Sequence, residues 1–226
     1  MDISQSTQRS PVAEQAQTMQ RYYRLQSKIY DATRWTFLFG RKRIIRELPV
    51  LEETAALEIL EVGCGTGYNL KRLALRFPNA RLTGMDVSAD MLERSASRTA
   101  QWADRITLLE KPYGEENLSF HGKFDLILFS YSLTMINPQW ATLIAQAKQD
   151  LKPGGVIAVV DFFDSPFPWF KRHMANNHVR MDGHLLPVLE NLFLPVEVNI
   201  RKAYAGVWQY LIFMGGVEEV SGQVDK

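Results

Sequence analysis

A chain of 226 residues, 46% hydrophobic and with 26 Lys and Arg against 25 Asp and Glu, is long enough for an α/β domain with a sizeable core. Its formal net charge of +1 lacks the strong field of a nucleic-acid binder, and its single cysteine excludes an internal disulfide, which suits a reducing compartment. Met1–Gln5 shows no apolar core behind a basic start, and no apolar run reaches the ~18 residues that would span a bilayer, so the expectation is a cytoplasmic protein. Peripheral contact with the inner face of a membrane is left open.

Residues 1–17 are polar and rich in Gln, Ser and Thr, and read as loose. From Met19 to Trp35 the chain reads as a helix with Tyr22, Leu25, Ile29 and Ala32 on one face. A second helix is expected from Phe37 to Leu48, stopped by Pro49. Residues 1–50 therefore read as a helical extension before a main domain at 51–226. Strand–helix alternation then begins. Strands are expected at Glu58–Val62, Arg81–Met85, Ile106–Leu109, Phe124–Phe129 and Val156–Val160. Helices are expected at Tyr68–Phe77, after Ser88 as N-cap, and from Asn137-Pro138 to about Leu151, with Pro138 at the first helical position. This order argues for a doubly wound, mostly parallel sheet with helices on both faces. Residues 162–192 break the rhythm with aromatics, prolines and some helix around Trp169–Met181 and Leu185–Leu192. The chain then reads as two strands, Val196–Lys202 and Val207–Met214.

The segment Ile59-Leu60-Glu61-Val62-Gly63-Cys64-Gly65-Thr66-Gly67 carries the most information. A buried strand ends in three alternate glycines, and Leu70, Leu73, Ala74 and Phe77 then recur at helical spacing. Glycines let the backbone turn and approach a ligand with no Cβ in the way. The helix after Gly67 aims its free N–H groups at that ligand. Asp86 ends the next strand 19 residues beyond Gly67, where a carboxylate accepts hydrogen bonds from a ribose. The dinucleotide pattern G-x-G-x-x-G is absent, because position 68 is tyrosine. Cys64 reads as a small residue that fits the turn.

With Glu61 before the glycines, Asp86 after them, Phe124-Asp125-Leu126-Ile127 opening the fourth strand and Lys152-Pro153-Gly154-Gly155 before the fifth, the chain resembles the class I S-adenosylmethionine methyltransferases. The resemblance covers about residues 55–162. It implies a Rossmann-like sheet of seven strands, the last antiparallel and inserted between the fifth and sixth, and S-adenosylmethionine as cofactor. It also implies that Gly63, Gly65 and Gly67 pass the methionine part, that Glu61 orients its ammonium, that Asp86 holds the ribose and that Val87 packs on adenine, with Cys64 and Met91 also among the cofactor-binding residues. The usual Gly-Asp pair after the third strand is missing. Glu110 and Lys111 are the nearest polar groups there, so the adenine contact departs from the family pattern. Ser130 and Tyr131 end the fourth strand, at the edge where open α/β sheets place ligands.

The stretch Tyr22 to Arg43, with Ser130-Tyr131-Ser132-Leu133-Thr134-Met135-Ile136 and Asp161-Phe162, resembles the betaine-lipid N-methyltransferases, which trimethylate diacylglyceryl-homoserine. That resemblance implies a lipid amine acceptor; a soluble small-molecule amine or hydroxyl remains the alternative. Aromatic faces hold alkylated ammonium groups, so Tyr22, Tyr23, Tyr30 and Tyr131 are candidates for the acceptor side, with Tyr23, Tyr30 and Tyr131 the catalytic candidates. Each is equally a packing residue on the sequence alone. Phe129-Ser130-Tyr131-Ser132 lacks the Asp/Asn-Pro-Pro-Tyr/Phe of many nucleic-acid amino-methyltransferases, so no nucleic-acid partner is expected. His173, His178 and His184 are poorly spaced for a metal, and none is expected. Two aromatic–basic stretches, Arg34–Arg46 and Phe162–Arg172, suit either a membrane interface or ordinary packing under solvated charge. The oligomeric state is not readable.

Overall fold

The computed structural model describes residues 37–48, 54–115 and 120–218. Seven strands form one sheet: β1 (Glu58–Val62), β2 (Arg81–Asp86), β3 (Ile106–Glu110), β4 (Phe124–Ser130), β5 (Leu151–Phe162), β6 (Leu194–Ala203) and β7 (Trp208–Gly216), in the order β3-β2-β1-β4-β5-β7-β6. The first five are parallel, and β7 runs antiparallel to both β5 and β6. The expected antiparallel insertion of the last strand is therefore present.

Side chains alternate between two cores, as the two-residue period of a strand requires. Ile59, Leu82, Leu126, Ala158 and Ile212 face one core, joined by α1 (Arg41–Glu47) through Ile44 and Ile45 and by α2 (Tyr68–Arg76) through Leu70 and Leu73. Leu60, Ile127, Val159 and Phe213 face the other, covered by Leu143 and Ile144 of α4 (Trp140–Asp150) and Leu185 and Leu189 of α6 (Leu185–Leu192). The central strands are apolar on both faces because both faces are covered. Each fully buried Leu, Ile or Phe contributes about 1.5–3 kcal/mol.

Ser88 caps α3 (Ala89–Thr99) as expected, its Oγ accepting from Met91 N at 3.4 Å. Four element boundaries differ from expectation. The segment 37–40 is turn, and the first helix starts only at Arg41, behind Gly40 at φ +83. The Asn137-Pro138 peptide is cis and α4 starts at Trp140; Asn137 does not cap the helix, and its amide donates to Thr134 O. Strand β5 starts at Leu151 rather than Val156, with Lys152–Gly155 bulging out between the Phe124–Leu151 and Leu126–Val156 pairs. The helix expected from Trp169 to Met181 is α5 (Pro168–Asn176) and ends earlier. The expected Met19–Trp35 helix, with Tyr22, Tyr23 and Tyr30, lies outside the described residues.

Candidate cofactor and acceptor site

At the carboxyl edge of the sheet, Gly63, Gly65 and Gly67 all adopt the left-handed backbone region, with φ of +73°, +51° and +73°. Gly63 N and Cys64 N donate to Met85 O at 2.8 and 2.9 Å, tying the turn to the end of β2. Asp86 finishes the tie: its Oδ2 accepts from Gly65 N at 2.8 Å and its Oδ1 from Ser88 N at 3.0 Å. One aspartate thus shapes the glycine turn and the approach to α3 together. Its β3 neighbour in register is Glu110, exposed at the strand end; Lys111 follows and lies 4.0 Å from Glu115.

A cavity of about 180 Å³ opens behind this turn, lined among others by Leu38, Arg41, Glu61, Gly65, Asn69 and Ser130. Glu61 is 1% exposed. Its Oε1 accepts from Asn69 Nδ2 at 2.7 Å, whereas its Oε2 has no hydrogen-bond partner among the described residues. The Asn69 Oδ1 and Ser130 Oγ atoms are likewise buried and unpartnered. Orphaned buried polar atoms are costly, so three around one cavity mark a place built for a polar ligand. Arg41 enters the same cavity with its guanidinium 4.2 Å above the Tyr68 ring. An acid and a guanidinium in one cavity complement the ammonium and carboxylate of an α-amino acid. The residues present therefore fit the methionine end of S-adenosylmethionine.

Burial pushes the Glu61 carboxyl up to about 8, against the lowering effects of the Asn69 hydrogen bond and the Arg41 charge. The free protein accordingly holds a proton on Glu61 at pH 7. A ligand ammonium placed against Glu61 would favour the ionised form, so its binding would expel that proton. Calorimetry of S-adenosylhomocysteine binding in buffers of different ionisation enthalpy should show release of close to one proton at pH 7, vanishing above pH 9. Glu61→Gln should abolish the release. Buffer-independent heats at pH 7 would contradict this placement of Glu61.

Cys64 is buried, and burial pushes its thiol well above the ordinary range, so it serves as a turn residue rather than a nucleophile. Met91 is buried in the first turn of α3, and Val87 packs partly buried against the core. Tyr131 lies under the chain rather than at an open surface. It is 2% exposed, its ring edge meets Phe162 at 4.8 Å, and its hydroxyl donates to Phe39 O at 2.7 Å. That bond pins the segment 37–40, which delivers Leu38 and Arg41 to the cavity. Tyr131→Phe should lower stability to urea by about 0.5–1.5 kcal/mol and weaken cofactor binding. Lost turnover with both unchanged would instead make the phenol a reacting group.

Sequence reasoning missed Arg41, Asn69 and Leu38 as cavity residues. Asn69 was detectable, because a polar residue two positions past the last glycine sits in the first helical turn, whose N-terminal end faces the ligand. The role of Arg41 was not, since only tertiary packing brings 37–41 against the glycine turn. His184 pairs with Asp182 at 2.5 Å against the Trp140 ring, and burial pushes its imidazole down. His178 lines a second hollow of about 560 Å³ beside α5, with Met135, Lys171, Arg172 and Arg180. No group of three His, Cys, Asp or Glu residues able to hold a metal occurs among the described residues.

A family model for the methyltransferase domain matches residues 59–155. The malonyl-[acyl-carrier protein] O-methyltransferase of Priestia megaterium is 28% identical over 165 residues, 73% of this chain and 57% of the relative. The trans-aconitate 2-methyltransferase of Deinococcus radiodurans is 34% identical over 125 residues, 54% of this chain and 45% of the relative. The chain thus spans about half the length of these curated relatives. The Burkholderia thailandensis 1,6-didemethyltoxoflavin-N1-methyltransferase, solved with 1,6-didemethyltoxoflavin and S-adenosylhomocysteine, superposes with a TM-score of 0.70 at 17% identity, covering 95% of this chain and 93% of that one. At that identity it shows the shared fold. The domain match at 59–155 takes in the strand–glycine–helix unit and the acid at the end of β2, so this stretch of the chain is similar to methyltransferase domains where it lines the polar cavity.

Proposed function

We propose that this chain transfers methyl groups from S-adenosylmethionine to the amino group of a lipid headgroup of the homoserine type. The cofactor supplies a methyl group already activated on a sulfonium. The protein therefore contributes alignment, exclusion of water and a place for the acceptor. Asp86, Glu61 and Arg41 would hold the donor. The acceptor amine must be neutral to attack.

One observation carries the acceptor assignment. On α5, Phe167 at its N-cap and Trp169 are 41% and 63% exposed, while Phe170 and Met174 on the same helix join the core that holds Tyr131 and Phe162. Lys171, Arg172 and Arg180 line the neighbouring hollow. Exposed aromatics on the helix beside a hollow lined by three cationic side chains, of which Lys171 pairs with Asp164 and Arg180 with Asp182, support a headgroup carboxylate held at a lipid surface. The exposed face is narrower than the sequence implied, since Phe162 and Phe170 are core residues. No described helix is long and apolar enough to cross a membrane, so any contact through this face would be peripheral.

A second reading, N- or O-methylation of a soluble metabolite, is favoured by the relatives, which are named for a malonyl group on a carrier protein and for trans-aconitate. The discriminating experiment supplies labelled S-adenosylmethionine with a homoserine-lipid extract or a polar metabolite extract. Labelled, mass-shifted lipid supports the proposal, together with flotation on anionic vesicles that Trp169→Ala weakens. Label only in the polar fraction, with no flotation, establishes the second reading.

A further inference from the structure

Among the described residues strand β6 ends the sheet, pairing with β7 on one side and with no other strand on its outer edge. Its apolar side chains are left in water: Leu194, Val196, Val198 and Ile200 are 54%, 59%, 38% and 45% exposed. Long edge strands with exposed apolar side chains are templates for further strand pairing. Registered against β7, Val198 and Ile200 stand opposite Phe213 and Leu211 on one face, and Glu197, Asn199 and Arg201 opposite Met214, Ile212 and Tyr210 on the other.

The order Glu197-Val198-Asn199-Ile200-Arg201 is complementary to its own reverse. We propose that β6 pairs antiparallel with β6 of a second copy of this chain, about a two-fold axis through Asn199. In that register Glu197 faces the second copy's Arg201, Val198 faces Ile200, and Val196 meets the aliphatic stem of Lys202, each twice. Opposite charges then meet on one face and apolar groups on the other, the pairings that stabilise neighbouring strands. Shifting the centre by one residue to Val198 or Ile200 opposes Glu197 to Asn199 or Ala203 and leaves both charges without their counterparts. Within this chain Glu197 accepts only the short-range amide of Asn199, at 2.5 Å, and Arg201 Nε is buried without a hydrogen-bond partner among the described residues. The register break between Pro195 and Glu197 on one side and Lys202 on the other confine the pairing to this short stretch. A two-fold axis closes the assembly at two copies and uses up both edges.

Sedimentation equilibrium tests this on the full chain. Wild type should run at twice the chain mass of 25.9 kDa. Arg201→Glu places like charges opposite each other and should weaken dimerisation by about 10-fold or more, and the double variant Glu197→Arg/Arg201→Glu should restore it. A wild type that stays monomeric at every concentration, or a dimer indifferent to Arg201→Glu, overturns the proposal. A second measurement does not depend on the charge variants folding. Cys64 is the chain's single cysteine and is buried, so Asn199→Cys with a short bismaleimide should give a cross-linked pair. Failure of that cross-link in folded protein is equally decisive against it.

Discussion

Replacing Asp86 by alanine should raise the dissociation constant for S-adenosylmethionine by about 100-fold or more. The effect has two sources. In the proposed site the carboxylate, at the end of β2, would receive the ribose hydroxyls. It also accepts the Gly65 and Ser88 amides, so its removal leaves two buried N–H donors without their partner and loosens the glycine turn beside the cavity. Each such donor costs about 1–3 kcal/mol. For a chain of this size 1 kcal/mol shifts Tm by about 2–4 °C, so melting should fall by several degrees alongside affinity. Titration calorimetry and thermal melts on the same samples separate the two losses. Affinity within about 3-fold of wild type, in folded protein, would remove Asp86 from the binding site.

Gly65→Arg should abolish cofactor binding while leaving a folded protein. Gly65 sits at φ +51 on the wall of the cavity, where a long cationic side chain would occupy the ligand's space. The left-handed backbone adds about 1–2 kcal/mol of strain. Gly67 offers the contrast. A Cβ there would lie 2.4 Å from Ser95 Oγ and 3.1 Å from Ser95 Cα. Gly67→Ala should therefore act first on stability, by forcing α2 and α3 apart, and only through that on binding. Unchanged affinity in Gly65→Arg would mean that the donor does not cross this turn.

The lipid assignment leans on the exposed aromatic–basic edge of α5 and on a resemblance that includes residues before Phe37. A product analysis that found methylated lipid would leave the self-pairing of β6 untouched, and a monomeric protein would leave the acceptor untouched. The two proposals therefore fail separately.

Much of this fold was legible in local pattern. Apolar runs such as Phe124–Phe129, bounded by turn residues, marked the parallel strands, because a strand buried on both faces has no polar side to interrupt it. Ser88 announced a helix start that the structure keeps. The Asn137-Pro138 pair signalled a helix, but that helix begins later, at Trp140, with Gln139 rather than Asn137 at its N-cap. Phe37–Gly40 has helix-compatible composition but forms a turn, with Phe39 packed on Trp208 and Tyr210 and fixed by Tyr131.

The same division runs through the site. The order of residues alone determined the glycine turn, the acid 19 residues beyond it and the strand ends that carry both, because these depend on backbone conformation and on contacts close in sequence. Only the tertiary structure decided that Arg41 shares a cavity with Glu61, that Glu61 is buried deeply enough to hold a proton near neutrality, and that Tyr131 is spent on holding Phe39. Those properties arise from desolvation and from contacts across long stretches of chain, and neither is encoded in the neighbours of a residue along the sequence.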